Sequence, residues 1–382
     1  MALQTSGAIS LNDIHQEAGG TSGTQASIND SDIRDMISKS SGATMSFNEW
    51  YGASAGAIWG DRWVTGGGDR FHQSGSGVSY DSLGYGNMEE MQYDDFNTGG
   101  TSSLFGSLTD SIYGARASSN GSRIVYSGQQ WYGSWTKYGH DRMKYITVGT
   151  TGNASTFGTL ATPGRSGAAA MNTNGRGLDS PGAVGSTNSF SSNINYFQID
   201  TTGNASTFGT IPWGTMDCAG TEALSGRCMF IGGGRYSSTN FNSMLYISST
   251  QSVGGTGGDF GDMATRRRYV SACTNGTRAL IWGGAGHAVY SNTLEDRYNT
   301  EYVTIGTTGN ASNFGNITYA RWMAASTSNG TRGILISGYN VSGTYNYTFQ
   351  SIEYVAIGTT GNASNFGNLQ YYARSFDAAS GN

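Results

Sequence analysis

Proline is nearly missing from this sequence, with three residues in 382. Cysteine is as scarce, also three, histidine numbers four, and charged side chains make up only 12%. Each shortage excludes something. Cys218, Cys228 and Cys273 are too few for a disulfide framework; a Cys218–Cys228 bridge stays open beside the alternative of inert, half-buried thiols. His15, His72, His140 and His287 lie far apart without His-x-x-x-His spacing, and no Cys-x-x-Cys occurs. No metal site and no cofactor is therefore expected. A net charge of −5 and the lack of any Lys/Arg run give no reason to expect a nucleic-acid partner. No apolar run approaches the ~18 residues of a membrane helix, so membrane insertion is not expected. The N-terminus lacks the basic and apolar regions of a secretory signal, and the expectation is a chain made in a cytoplasm.

What is abundant is glycine, at 60 residues, with 12% aromatics. Without a Gly-X-Y period this is not collagen, and the aromatic content argues against simple disorder. The glycines belong to a repeat. Thr-Gly-Asn-Ala-Ser-x-Phe-Gly begins at Thr151, Thr202, Thr308 and Thr360, with degenerate copies ending at Phe105-Gly106 and Phe260-Gly261. The anchoring phenylalanines, Phe105, Phe157, Phe208, Phe260, Phe314 and Phe366, are spaced 51 to 54 residues apart. A fixed period of that length marks stacked or radial units that cannot bury both faces alone.

Each unit reads as a four-stranded meander. In the last full one, Arg321 to Ser326 is a small-residue strand and Asn329-Gly330 is a type I′ hairpin signal. Arg332 to Gly338 is a buried second strand, Ile352 to Ile357 the third, and Thr359 to Phe366 turns into an outer fourth. The hairpin mark recurs at Asn120-Gly121, Asn174-Gly175 and Asn275-Gly276. Pro181 makes the strand over Gly177 to Ser180 read as irregular. The C-terminal run Ala373 to Asn382 stops at its hairpin, and the second strand it lacks stands at the other end, as Asp61 to Gly68. Pairing of the two would close a ring and cover an open sheet edge. The expectation is an all-β, six-bladed propeller over residues 56–382.

Residues 1–55 do not share the repeat. Ser10, Asp30 or Ser31, and Ser46 followed by Glu49 are helix-capping signals for short helices that must dock to persist. Ile9 to His15, Ile28 to Arg34 and Met45 to Gly52 together resemble the amino-terminal module of tail and virion proteins of tailed bacteriophages, marine and cyanobacterial ones in particular. The buried strand ending in Gly-Gly, the variable loop and the Tyr-containing strand resemble kelch-type propeller repeats. The Thr-Gly-Asn-Ala-Ser insertion is similar to propeller repeats of such virion proteins. The resemblance implies a virion location after synthesis in the bacterial cytoplasm. It implies an attachment role for the helical module, for which Ile14, Ile33, Ile37, Phe47, Trp50 and Tyr51 are the candidates.

No catalytic residue is expected. Gly66-Gly67-Gly68 and Gly232-Gly233-Gly234 lack the Walker lysine and read as strand ends. The acidic pairs Glu89-Glu90, Asp94-Asp95 and Glu295-Asp296 are candidates for glycan cleavage only if their carboxyls face each other, and otherwise are solvated strand ends. The loops between second and third strands say more. They carry Trp131, Tyr132, Trp135, Tyr138, Tyr236, Phe241, Tyr290, Tyr339, Tyr345 and Tyr347 amid Ser, Asn and Gly, a mixture suited to recognition. In a propeller these loops share one face. The expected function is a tail fibre, tail tip or baseplate-associated protein that binds a host-surface glycan or envelope protein as a trimer or higher homo-oligomer, with other virion proteins as partners. A decoration or neck protein that binds no receptor is the alternative, and a polysaccharide-degrading enzyme the second.

Overall fold

The computed structural model describes residues 8–18, 22–30, 33–34, 44–50, 60–74, 77–80, 89–110, 112–130, 141–164, 167–172, 175–180, 182–184, 189–223, 227–235, 239–248, 255–286, 298–342, 345–374 and 377–381. The chain divides into two compact units, Met1–Ile58 and Trp59–Asn382, three residues beyond the boundary expected from the sequence.

In the first unit, the helix Leu11–Glu17 starts at a reciprocal cap. The Asp13 N–H donates to the Ser10 hydroxyl at 3.1 Å, and the Ser10 N–H donates to the Asp13 carboxylate at 2.8 Å. A 3-10 turn, Phe47–Trp50, follows Ser46, whose N–H donates to Glu49 Oε2. Ile14, Ile33 and Trp50 are fully buried against one another, and the Trp50 indole N–H donates to the Ile33 carbonyl at 3.1 Å. The sequence reading placed these three at an attachment surface; the structure uses them as the unit's own core. Phe47 is 45% exposed, and Ile37 and Tyr51 lie outside the described residues.

The second unit is a six-bladed β-propeller. Blade 1 is Asp377–Gly381, Arg62–Gly66, Glu90–Asp95 and Ser103–Ser107, from axis to rim. Blade 2 is Ile112–Ser119, Arg123–Gln130, Arg142–Thr147 and Ser155–Thr159. Blade 3 is Ala168–Asn172, Arg176–Ser180, Asn193–Gln198 and Ser206–Thr210; blade 4 is Ala219–Gly220, Arg227–Ile231, Ser243–Ser248 and Gly258–Asp262. Blade 5 is Ser271–Thr274, Arg278–Trp282, Asn299–Thr304 and Ser312–Asn316; blade 6 is Ala325–Ser328, Arg332–Ile336, Tyr345–Ala356 and Ser364–Arg374. The ring closes through the chain's two ends, with Trp63 opposite Ser380 and Val64 opposite Ala379. A second seam joins Asp69–Ser74 to the outer strand of blade 6, pairing Phe71 with Tyr372. The strand Arg176–Ser180 is regular and paired on both sides, against the expectation from Pro181. The strand's last paired residue is Ser180, opposite Ala168, so the ladder stops before the proline in the sequence.

The repeated motif is a clasp between blades. In all six outer strands the register skips the anchoring phenylalanine, as where Thr156 faces Lys144 but Gly158 faces Met143. This β-bulge turns the phenylalanine carbonyl away from its own ladder. The next blade's motif then takes it up: Gly152, Gly203, Gly309 and Gly361 donate to the carbonyls of Phe105, Phe157, Phe260 and Phe314 at 2.7–2.9 Å. The motif's asparagine completes the clasp. Asn153, Asn204, Asn310 and Asn362 each accept, through Oδ1, a backbone N–H of the preceding outer strand at 3.0–3.1 Å. The glycine after phenylalanine has no substitute, because a Cβ at Gly158 would lie 2.0 Å from the Gly203 carbonyl oxygen.

A second repeated device runs through the blades. The arginine opening each second strand lies over the tyrosine of the third: Arg62 on Tyr93, Arg123 on Tyr145, Arg176 on Tyr196, Arg227 on Tyr246, Arg278 on Tyr302 and Arg332 on Tyr354, at 4.3–5.7 Å. Each tyrosine meets its blade's anchoring phenylalanine edge-on at 5.7–6.2 Å. Arg62, Arg123, Arg227, Arg278 and Arg332 also donate to a carbonyl of the following blade, at Val148, Ile199, Ile305, Ile357 and Phe96. Near the axis, hydroxyls link inner strands in one direction: Ser119 donates to the Ser380 carbonyl, Ser380 to that of Ser328, and Ser328 to that of Thr274.

Candidate functional site

An up-and-down blade puts its first hairpin at one end, and its second-to-third loop and the connector from the previous blade at the other. The repeated clasps occupy the hairpin end, and the unequal loops gather at the opposite face. Several of these loops are small hairpins of their own. Asp69–Ser74 pairs with Gly77–Tyr80, Ala183–Val184 with Ser189–Phe190, Gly234–Arg235 with Thr239–Asn240, and Tyr339–Ser342 with the start of Tyr345–Ala356.

The expected recognition residues fare unequally. Trp131, Tyr132, Trp135, Tyr138, Tyr236 and Tyr290 lie outside the described residues. Tyr345 and Tyr347 stand in the blade 6 hairpin opposite Ser342 and Asn340. Phe241 is half-buried, with the Arg235 guanidinium over its ring at 5.8 Å. Tyr339 is only 8% exposed. It meets Trp322 edge-on at 4.8 Å, with Arg374 4.5 Å from its ring centre, and so belongs to packing under the face rather than to open surface. Trp322 also meets Tyr269 at 5.1 Å, and Arg268 lies 4.8 Å from the Tyr269 ring. Sequence reasoning found Tyr339, in a second-to-third loop, but missed Trp322, Tyr269 and Arg268, which sit in connectors between blades.

The same connectors form the rim of the central channel. Asp217, Tyr269 and Met323 occupy one position in three successive blades and share a left-handed backbone, with φ of 58°, 56° and 55°. Non-glycine residues adopt that conformation only when their surroundings impose it, at roughly 1–3 kcal/mol each. What imposes it is a relay across the entrance. The Tyr269 N–H donates to the Asp217 carbonyl at 2.7 Å, and the Met323 N–H to the Tyr269 carbonyl at 3.3 Å.

Inside the rim lies a cavity of about 120 Å³ lined by residues of all six blades. Its walls are mostly alanine, glycine, serine and threonine, with two charges, Arg116 of blade 2 and Asp377 of blade 1. Arg116 is 2% exposed. Its Nε lies 2.9 Å from Asp179 Oδ2 and its Nη1 donates to the Ser180 carbonyl at 3.2 Å. Gly167 makes room for it, since a Cβ there would lie 2.6 Å from Nη1. Asp179 also accepts from the Ser127 hydroxyl at 2.6 Å. Burial raises the Asp179 carboxyl, against the pull of Arg116. Asp377 accepts from the N–H groups of Ala117 and Ala378 at 2.8 and 2.9 Å. Burial nonetheless pushes its carboxyl up to about 7.

Three polar atoms of wall residues, Arg116 Nη2, Thr221 Oγ1 and Thr327 Oγ1, are buried behind the wall without a hydrogen-bond partner. The cysteines are all free and buried, which removes the Cys218–Cys228 bridge. Burial pushes the Cys218 thiol up to about 12, so it is no nucleophile at neutral pH. Among the described residues no cluster of three His, Cys, Asp or Glu side chains could hold a metal ion. Of the acidic pairs read from the sequence, Asp94 and Asp95 cap a turn through the N–H groups of Asp95 and Asn97. Glu295 and Asp296 lie outside the described residues.

No protein-family model matches the chain, and no curated protein matches it. Among solved structures it is similar to one described as "Structure of YjhT", with a TM-score of 0.58 and 11% identity over 81% of this chain and 99% of that one. At that identity the likeness carries the propeller fold and nothing of function.

Proposed function

We propose that this chain is a non-enzymatic recognition protein of a phage tail, a tail fibre, tip or baseplate-associated component. In this reading the amino-terminal unit attaches it to other virion proteins and the propeller's loop face meets a host-surface glycan or envelope protein. One observation carries the reading. The repeated clasps lie at the hairpin end, while the second-to-third loops, by sequence, differ in length and composition from blade to blade and belong to the other end, which surrounds a polar cavity at the axis. A surface freed from structural duty, built from hairpins and rich in aromatics by sequence, is where a propeller of this kind can bind. Several copies in one particle would multiply a weak single contact, so a symmetric oligomer fits the same reading.

The test uses the fluorescently labelled full chain and a panel of marine and cyanobacterial cells. Saturable binding to some of them, lost when Trp131, Tyr132 and Trp135 become alanine, is the expected result. Binding to none, with the chain found by immunogold labelling at the neck or capsid, would favour the decoration role instead. Release of reducing ends from host polysaccharide would favour the enzyme, with Asp179 and Asp377, two acids beside one arginine, as its first suspects.

A further inference from the structure

Arginine serves the ring itself in most of the propeller. The arginines opening the second strands lie over tyrosines, and Arg116, Arg267 and Arg321 are buried against Asp179, Glu301 and Glu353. Arg235 is different. It stands exposed in the loop hairpin of blade 4 and forms no ion pair with any described residue. Its side chain is nonetheless held. Nε donates to the Gly214 carbonyl at 3.2 Å, and the ring centres of Phe190 and Phe241 both lie 5.8 Å from the guanidinium carbon. Three segments thus position one cation: the blade 3 loop, the connector into blade 4 and the blade 4 loop. They are fastened to one another. Gly234 and Met216 exchange backbone hydrogen bonds at 2.9 and 3.1 Å, and a Cβ at Gly214 would lie 2.6 Å from the Phe190 carbonyl oxygen. With Nε engaged, Nη1 and Nη2 make no hydrogen bond with a described residue.

A braced guanidinium with two unengaged amino groups selects its ligand by shape and charge. An exposed arginine ordinarily surrenders rotamer freedom when it binds; this one has surrendered it on folding. A planar carboxylate matches the fork with two parallel N–H···O bonds. Its single charge balances one guanidinium. A phosphate dianion would call for a second cation, and by sequence the three segments, residues 182–192, 211–218 and 232–242, contain only Arg235. Their one acid, Asp217, is buried and makes no ion pair with it. Phe190 and Phe241 are both half-buried and leave apolar surface beside the charge. The C–H face of a pyranose can lie there while its carboxylate meets the arginine, whereas a peptide carboxylate would use the arginine alone. We infer that Arg235 is a binding site for the carboxylate of an acidic sugar, flanked by Phe190 and Phe241. This deepens the proposed recognition function and rests on it only for the sugar's source, a uronic acid unit of a surface glycan.

The experiment is ligand-observed NMR and titration calorimetry on the full chain with D-glucuronate and D-galacturonate. D-glucose, the methyl ester of D-galacturonic acid, acetate and inorganic phosphate serve as comparisons. Saturable binding of at least one uronate is expected at low salt, with a Kd in the millimolar range. The neutral sugars, and acetate, which lacks the ring, should bind at least about tenfold more weakly. Raising sodium chloride from about 20 to about 500 mM should weaken uronate binding severalfold. Arg235→Gln should lower affinity about tenfold, and Arg235→Lys, which keeps the charge and loses the fork, about fivefold. The side chain is exposed, so both variants should unfold at the wild-type temperature; if one fails to fold, the other decides. No saturable uronate binding up to about 50 mM, or affinity unmoved in both variants, overturns the inference. Acetate binding as tightly as the uronates overturns it too, since the ring would then count for nothing, and so does phosphate binding more tightly than either. Cell adherence that survives Arg235→Gln, with no uronate bound by the wild type, sinks this site and spares the loop face. Uronate binding that is lost in Arg235→Gln, with adherence to no cell, keeps the site and sinks the recognition role.

Discussion

The clasp between blades makes a sharp quantitative demand on two glycines of one motif pair. At Gly158 an added methyl would sit 2.0 Å from the Gly203 carbonyl oxygen, a backbone atom that has no rotamer to escape into. The outer strands of blades 2 and 3 would have to part. Three hydrogen bonds go with them: Gly203 N–H to Phe157 O at 2.9 Å, Ala205 N–H to Thr159 O at 2.8 Å, and Thr159 N–H to Asn204 Oδ1 at 3.1 Å. At about 1 kcal/mol net for each, Gly158→Ala should cost about 3 kcal/mol. Gly203, on the other side of the same clasp, has open space where its Cβ would stand. Gly203→Ala should therefore be neutral, or stabilising by about 0.5 kcal/mol through the stiffer unfolded chain. Urea unfolding of the full chain, followed by near-ultraviolet circular dichroism, measures both. Equal losses for the two variants, or a harmless Gly158→Ala, would mean that the motif does not hold the blades together.

Other expectations follow from named contacts. Arg278→Ala removes the cation over Tyr302 at 4.3 Å and the bond to the Ile357 carbonyl at 2.9 Å; the loss should be about 1–2 kcal/mol in the same unfolding assay. Deleting residues 377–382 takes away the partner strand of Arg62–Gly66 and uncovers the fully buried Trp63, so tryptophan emission should shift to the red and unfolding lose its steepness. Asp377 gives a pH signature. A carboxyl raised to about 7 in the fold and ordinary when unfolded, near 3.9, stabilises only while protonated. Its contribution is complete below about pH 4 and is lost as the pH rises through about 7. Asp179, raised in the same direction, adds to the trend. The urea midpoint should fall between pH 4 and 8, and Asp377→Asn should flatten that fall; a midpoint unaffected by the variant refutes the assignment.

Much of the architecture was legible because it repeats. The phenylalanine period counted the blades, and the unpaired strand at each chain end foretold the closure of Trp63 and Val64 on Ser380 and Ala379. The bulge was not legible, since nothing in Ser-Thr-Phe-Gly-Thr says that the register skips Phe157; only the partner strand reveals it. The arginine–tyrosine–phenylalanine ladder recurs in all six blades and stood open to a reader aligning arginine two or three places after each hairpin. The channel site left fainter marks. Arg116 and Asp377 hold the same place in their blades, three residues before the belt hydroxyls Ser119 and Ser380, each followed by alanine. Asp179 stands where the other second strands carry Thr65, Tyr126, Phe230, Ile281 and Leu335. A charge in an apolar column is a signal, but the three come together only by ring closure, which brings residue 377 beside residue 117.

One position shows how the ring tolerates difference at its loop end. One register position of the third strand faces the chain arriving from the previous blade in five blades, as Gln92, Lys144, Asn195, Glu301 and Glu353. Its chemistry changes around the ring, and blade 4 has the buried Leu245 there. Glu301 and Glu353 accept the N–H groups of Ala264 and Thr318 while bound to the fully buried Arg267 and Arg321. Asn195 accepts from Thr162, and Gln92 from Gln370. Lys144 instead reaches Asp110 at 3.0 Å. The geometry asks only that the incoming backbone or its neighbour be satisfied, and several side chains can do that. The glutamates need a buried arginine to offset their charge; the amides do not. Arg267 and Arg321 then bind carbonyls at Gly283, Asn299, Ser337 and Ser351, which fixes the base of the loops in blades 5 and 6. Blades 1 and 3, with amides at this position, are anchored by different chemistry, so the loops above each blade rest on unlike foundations. Variation under the loops as well as within them lets the shape of the loop end change without unfastening the ring below.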